Sequence, residues 1–186
     1  MDSWLPTGAT VWGIFPRLLG LVLGVSFASL LGQVVPIAGP DGVMPARDLL
    51  AAVRRDFPAP RRYLHFPTLL WISSSAAALR GVCLLGLIAA ASIVVGGPHV
   101  PFAFLICALL YLTLDRSVGL VFPWDCALFE AVWFATLLPA PEALPELTAS
   151  AVPAPALAFA YRLLVLRILL GFGKFKFLGS TARDWG

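Results

Sequence analysis

The sequence predicts an all-α fold: a polytopic membrane helix bundle of about five transmembrane helices plus a short amphipathic interfacial helix. Three observations carry this. Of the 186 residues, 60% are hydrophobic and only 12% charged, with a mean hydropathy of +0.90, whereas soluble domains carry about 25% charged residues. The apolar residues gather in runs of membrane-crossing length, for which about 20 residues suffice. The loops between these runs alternate between basic and non-basic, as in a chain that crosses a bilayer repeatedly. A single integral membrane domain over residues 1–186 follows, with no soluble domain of useful size beside the spans.

The first span is expected over residues 17–35, uncharged after Arg17. Before it, the aromatic stretch Met1 to Pro16, with Trp4, Trp12 and Phe15, suits the interface. There is no basic n-region, because Arg17 is the first positive charge, so the span is expected to stay uncleaved. Pro36 is expected to end it, and Gly39, Pro40, Asp41 and Gly42 are turn formers. Residues 46–57 follow, with Leu49, Leu50, Val53 and Phe57 at helical spacing and charges around the rest of the wheel. That pattern predicts an amphipathic helix lying on the membrane, closed by Pro58 and Pro60.

The long apolar stretch from Tyr63 to Gly97 reads as a re-entrant or interfacial turn over Phe66 to Ser74, then a second span over 76–95 with Arg80 near one end. Ser73, Ser74 and Ser75 read as polar helix packing. Gly96-Gly-Pro98 makes a turn, and a short third span over 100–114 is expected to stop at Asp115-Arg116. The fourth span, 124–138, follows Pro123, well placed in a first helical turn, and Asp125, which suits the positive end of the helix dipole. A Pro/Ala-rich loop from Pro139 to Pro155 leads to the fifth span, 157–177. Counting Arg and Lys in the loops places the amino-terminus outside and the carboxy-terminus inside, with Arg17 and Arg162 snorkelling at outer helix ends.

Several function classes are excluded. No basic stripe with interleaved aromatics projects into water, so nucleic acid is not a partner. No CxxC or Cys/His spacing suggests a metal, and no cofactor motif is present. Cys83, Cys107 and Cys126 read as buried structural thiols, and His65 and His99 as interfacial residues. GxSxG, P-loop and HExxH patterns are absent, and no catalytic residue stands out.

The chemistry of interest lies in the charges that fall inside spans. A charge at mid-bilayer depth is costly and usually has a partner or a task. In the closing helix, Arg167 and Lys174 stand about 20° apart and two turns from each other, while Arg162 and Lys176 share a different side. Lys174 and Lys176 can snorkel to one interface and Arg162 to the other, but Arg167 sits near the middle. Gly171 and Gly173 offer places where another backbone can approach. With Trp124 and Phe177 at one boundary, Glu130 lies about 9 Å deep and Arg167 about 15 Å deep. A guanidinium stem spans that difference. A Glu130–Arg167 pair is therefore expected, with Arg80, Asp125 and Lys174 as neighbours nearer the inner face. The pair reads as helix–helix glue, as a polar pocket for a substrate or lipid headgroup, or as part of a path for protons or ions.

Phe122-Pro-Trp-Asp125 with Leu128-Phe-Glu130, then Arg162-Leu-Leu-Val-Leu-Arg167, then Gly171-Phe-Gly-Lys-Phe-Lys-Phe177 with Gly179, Ser180 and Asp184-Trp185, resemble the lipase maturation factor family. So do Gln33 to Arg47, Leu69-Leu-Trp71 and Cys83-Leu-Leu-Gly86. The resemblance covers nearly the whole chain. The aromatic-Asp-Glu and Gly/Lys/Phe motifs together are fairly specific, and either alone is weak. A more distant likeness is to the transmembrane domain of vitamin K-dependent carboxylases, which would imply a membrane enzyme. The nearer resemblance implies a non-enzymatic membrane assembly or maturation factor whose partners are membrane lipid and client proteins, in an endoplasmic reticulum or bacterial-type inner membrane. It also implies much longer relatives with a client-binding region beyond the last motif, so this chain reads as a fragment, one half of a split protein, or a small relative. The family topology places the loop after the first span on the lumenal side, opposite to the charge count. A structural accessory subunit of a larger membrane complex is the alternative function, and the 16 Pro and 16 Gly suit irregular packing against such partners.

Overall fold

The computed structural model describes residues 7–119 and 123–178, with side chains placed for 7–117 and 125–171. The fold is an all-α membrane helix bundle. Among the described residues there is no strand, only an isolated bridge between Pro141 and Ala149.

Helix α1 spans Gly8–Ala38 and is capped by Thr7, whose side chain accepts from the Thr10 N–H at 3.3 Å. The expected interfacial segment ahead of Arg17 is therefore helical from Gly8 onward. Pro16 and Pro36 both lie inside α1 rather than bounding it. At 31 residues α1 is about 46 Å long. It ends where Gly39 donates to the Val35 carbonyl at 2.9 Å and the Gly-Pro-Asp-Gly turn reverses the chain. Helix α2, Ala46–Asp56, buries Ala46 and Leu50 and exposes its arginines. The short α3, Arg61–His65, leads to a 3₁₀ turn at Leu69–Trp71.

Helix α4, Ala76–Val95, starts on Ser75, whose hydroxyl accepts from the Ala78 N–H at 3.2 Å. Ser75 is thus a helix cap rather than a helix-packing residue, because the first-turn amides need an acceptor. Helix α5, Val100–Leu114, does not stop at Asp115-Arg116. It continues as a π turn over Asp115–Gly119, where the Ser117 hydroxyl donates to the Thr113 carbonyl at 2.7 Å. Helix α6, Pro123–Ala135, opens on Pro123, and α7 spans Pro155–Leu178. Thr136 to Leu138, expected inside the fourth span, form the turn that closes α6.

Three helices of the described residues, Gly8–Ala38, Ala76–Val95 and Val100–Ser117, are long and apolar enough to cross a membrane. They are apolar all round, yet Leu21, Val25, Leu85 and Ile88 stay more than half exposed. A helix that is apolar on its exposed face suits lipid, not water. Helix α6 is only about 20 Å long, shorter than a hydrocarbon core of about 30 Å.

Packing runs α1 on α4, α4 on α5, α5 on α6 and α6 on α7. Phe27 is fully buried at the centre, edge-on to Tyr111 with ring centroids 5.9 Å apart. It lies so close to Gly86 that a Cβ there would enter its ring. Cys83 and Cys107 are buried, whereas Cys126 is exposed on α6, because that side of the helix faces away from the core.

At one end of the bundle, Arg17 is buried at 6% exposure and, among the described residues, has no carboxylate partner. Its Nε donates to the Val94 carbonyl at 3.2 Å and its Nη1 to the Gly13 carbonyl at 2.6 Å. Its Nη2 donates to the carbonyls of Glu142 and Glu146, the second at 2.8 Å. The expected snorkelling of Arg17 is thus replaced by capture from the loop between α6 and α7. That loop is ordered by backbone bonds from Gly97 to Pro141 (2.8 Å), Leu144 to Val95 (3.0 Å) and Ala149 to Ala9 (3.0 Å).

Two outcomes follow. Gly86→Val should lower the stability of the detergent-solubilised protein by about 1–3 kcal/mol, the usual effect of overpacking. In thermal unfolding, its loss combined with Phe27→Ala should be smaller than the sum of the two, since the residues share one space. Arg17→Met leaves buried carbonyls unpaired and should lose about 1–3 kcal/mol, with faster proteolysis of the 139–154 loop. Arg17→Lys should not rescue it, because one ammonium cannot reach acceptors set in a fork.

Candidate functional site

Helices α6 and α7 carry the charges singled out in the sequence. Arg167 Nη2 lies 2.6 Å from Glu130 Oε2. The local geometry explains the meeting. Tyr161, one of the few buried residues of α7, donates its hydroxyl to the Ala131 carbonyl at 2.8 Å and sets the register of the two helices. Arg167 stands six residues further along, about 9 Å of rise. Helical side chains lean toward the amino-terminus, so the guanidinium reaches back to Glu130. Tyr161 is held by Phe15 at 4.8 Å and Phe134 at 5.8 Å between ring centroids, which ties the start of α7 to α1 and α6.

The pair is not enclosed. The side chain of Arg167 is 58% exposed and that of Glu130 is 38% exposed. Leu163, Val165, Leu166, Leu169 and Leu170 are exposed along the same helix. The ion pair and these apolar side chains thus share one open face of the bundle. A salt bridge in a bilayer is much less screened than one in water, and each charge alone would be expensive.

The expected neighbours divide. Asp125 accepts the Tyr111 hydroxyl at 2.7 Å, which joins the start of α6 to α5. Arg80 is exposed in the second turn of α4, a helix packed on α1 and α5, and among the described residues no ion pair joins it to Asp125 or Glu130. Arg80 does not belong to this cluster: α5 stands between α4 and α6. Gly171 has no atom within 4 Å of a Cβ built there, so within the described chain it packs against nothing. It lies two turns beyond Leu164, the last buried α7 side chain among the described residues. The side chains at Gly173 and Lys174 lie outside the described residues, as do Phe122, Gly179, Ser180, Asp184 and Trp185.

Arg162 lines an open groove of roughly 630 Å3 between the starts of α1 and α7, together with Trp12, Tyr161, Val165 and Leu169. Among the described residues no three His, Cys, Asp or Glu side chains stand together as a metal site would require. His65 stacks on Phe57 at 5.0 Å, and His99 Nε2 meets the Ser92 carbonyl at 3.2 Å. Two organising residues were missed in the sequence. Tyr161 and Tyr111 sit in apolar runs, and a hydroxyl there needs an acceptor, which was the available signal. Nothing in the sequence signals the bonds of Arg17 to the Glu142 and Glu146 carbonyls, since they are backbone groups of a distant loop.

A family model described as Lipase maturation factor transmembrane domain matches residues 11–186. Lipase maturation factor 2 of Homo sapiens is 30% identical over 189 residues, covering 93% of this chain and 26% of the relative. That of Rattus norvegicus is 28% identical over 188 residues, with 93% and 26% covered. That of Gallus gallus is 29% identical over 171 residues, with 87% and 24% covered. The chain spans about a quarter of the length of these curated relatives. No solved structure matches it.

If Glu130 and Arg167 fix α7 on α6, Glu130→Arg and Arg167→Glu alone should each sharply lower the folded yield in mild detergent. The double reversal should restore most of it. Size-exclusion profiles of the three variants check this, and a double variant no better than the singles would break the assignment.

Proposed function

The chain belongs to the lipase maturation factor family, and on that premise we propose that it is the membrane-embedded assembly part of a non-enzymatic maturation factor. Being an integral membrane protein follows from the family and the apolar helices. The finer reading is ours. Helices α1, α4, α5, α6 and α7 are the five crossings, as one multi-pass domain, and α2 lies on the surface. The host membrane is the endoplasmic reticulum or a bacterial-type inner membrane. The partners are client proteins or further subunits, and membrane lipid.

The observation that carries this reading is the lateral Glu130–Arg167 pair on an otherwise apolar, exposed helix. An ion pair turned toward lipid offers a partner helix hydrogen-bonding capacity that lipid cannot match. A site for chemistry would instead be concave and enclosed around convergent polar groups, and this surface is open. The same exposed face supports the second reading, an accessory subunit that packs permanently in a larger complex. Obligate interfaces are large and apolar, and α7 presents such a stripe.

Purification of the tagged protein in mild detergent separates the two. A maturation factor should capture secreted hydrolases in substoichiometric amounts, and disrupting its gene should lower the activity per molecule of the secreted lipase. Glu130→Gln with Arg167→Gln should weaken the capture. A stoichiometric set of membrane subunits, with lipase secretion unchanged, would establish the accessory reading instead.

A further inference from the structure

At the end of the bundle opposite Arg17, α2 and the 3₁₀ turn line an open cavity of roughly 260 Å3. We propose that this cavity binds the phosphate of a membrane phospholipid headgroup. Its walls carry Arg47 and Arg54 from α2 and Trp71, Ser73 and Ser74 from the segment before α4, with no carboxylate among them. Arg47 has its own neighbour in Asp48, 3.4 Å away. Arg54 has no carboxylate within 4.0 Å among the described residues. Its guanidinium lies over the Trp71 ring, 5.9 Å from the centroid. Arg62 lies over the same ring at 5.6 Å, outside the recess lining, with its Nη2 donating to the Tyr63 hydroxyl at 2.8 Å. Trp71 itself is fixed by donation from its indole N–H to the Phe66 carbonyl at 2.9 Å. Arg47 and Arg54 beside one fixed indole and two serine hydroxyls make a positive recess, and guanidinium groups match phosphate oxygens geometrically.

Its place in the fold identifies the source of that phosphate. Ser73 and Ser74 stand just before α4, whose membrane-length apolar run begins at Ala76. The recess therefore sits at the depth where hydrocarbon gives way to headgroups. Around it, Ile72 is 87% exposed, and Met44, Leu64 and Leu69 are exposed as well. Apolar side chains left bare beside a basic recess are explained by acyl chains alongside them and a headgroup within. The proposal rests on the bilayer placement of α4 and is independent of the client-binding reading.

The test uses the whole chain reconstituted in phosphatidylcholine nanodiscs with a minor fraction of spin-labelled phosphatidylglycerol. Electron paramagnetic resonance should show a motionally restricted anionic lipid in excess over spin-labelled phosphatidylcholine. Arg54→Gln should weaken that selectivity about fivefold, the scale of one basic residue at an anionic surface. Arg55→Gln, which removes the same charge from exposed α2 surface outside the recess, should change it little. Ser73→Ala with Ser74→Ala keeps every charge and should still reduce the selectivity. Equal effects of Arg54→Gln and Arg55→Gln would mean diffuse surface charge and overturn the site. Displacement of the labelled lipid by inorganic phosphate would show a free-anion site and overturn the lipid assignment. No effect of the double serine variant would overturn the recess as the binding place.

Discussion

Arg17 needs no carboxylate because the backbone around it supplies carbonyls from three directions. One comes from its own helix at Gly13, one from the last turn of α4 at Val94, and two from the loop between α6 and α7. The end of α4 is a favourable place for a cation, since the unpaired carbonyls of a helix terminus carry partial negative charge. A guanidinium can serve all four acceptors at once because its donors form a rigid planar fork. The consequence reaches beyond one side chain. The loop is short of secondary structure of its own, yet it closes over α1 and the α4–α5 turn and determines where α7 begins. Gly96 takes part through its positive φ of 85°, which brings the backbone against the Glu142 carbonyl where a side chain could not fit.

From that anchored start, α7 leaves the bundle progressively. Tyr161 and Leu164 are buried, while residues from Val165 to Gly171 are mostly exposed. The Glu130–Arg167 pair is the last bond that links α7 to α6 among the described residues. Anchoring and release thus follow one another along a single helix. The pair combines a short charge-assisted contact, which sets the angle of departure, with enough exposure to meet another molecule.

The sequence was most legible where local rules decide. Helix α4 and the α-helical part of α5 have the bounds that the hydropathy and turn residues imply, because glycine and proline punctuate them and lipid-facing helices need no tertiary partner to be apolar. Glu130 and Arg167 meet in the structure, and the clue that paired them in the sequence was the rise per residue along two helices. Legibility failed where backbone atoms do the binding. Arg17 looked like an ordinary terminal charge because two of its four carbonyl acceptors lie more than a hundred residues away. Pro16 and Pro36 looked like boundaries, but a proline inside a long apolar helix is tolerated when neighbours hold the turn. Gly171 looked like a packing site because small residues favour close approach, yet a permissive surface is not by itself a contact.

The two ends of the bundle handle charge in opposite ways, and this contrast bears on what the molecule is built to meet. At the loop end the interior cation is consumed by backbone carbonyls, and the nearby Glu142 and Glu146 side chains remain exposed. At the other end Arg54 and Arg62 are gathered over one indole, and among the described residues no carboxylate pairs with either. A membrane protein that only needed to be inserted could distribute these arginines freely on the surface. Holding Arg54 on a ring that is itself pinned by a hydrogen bond limits its freedom at the recess wall. The loop end is thus closed by its own backbone, while the opposite end and the flank of α7 keep charged groups at the surface.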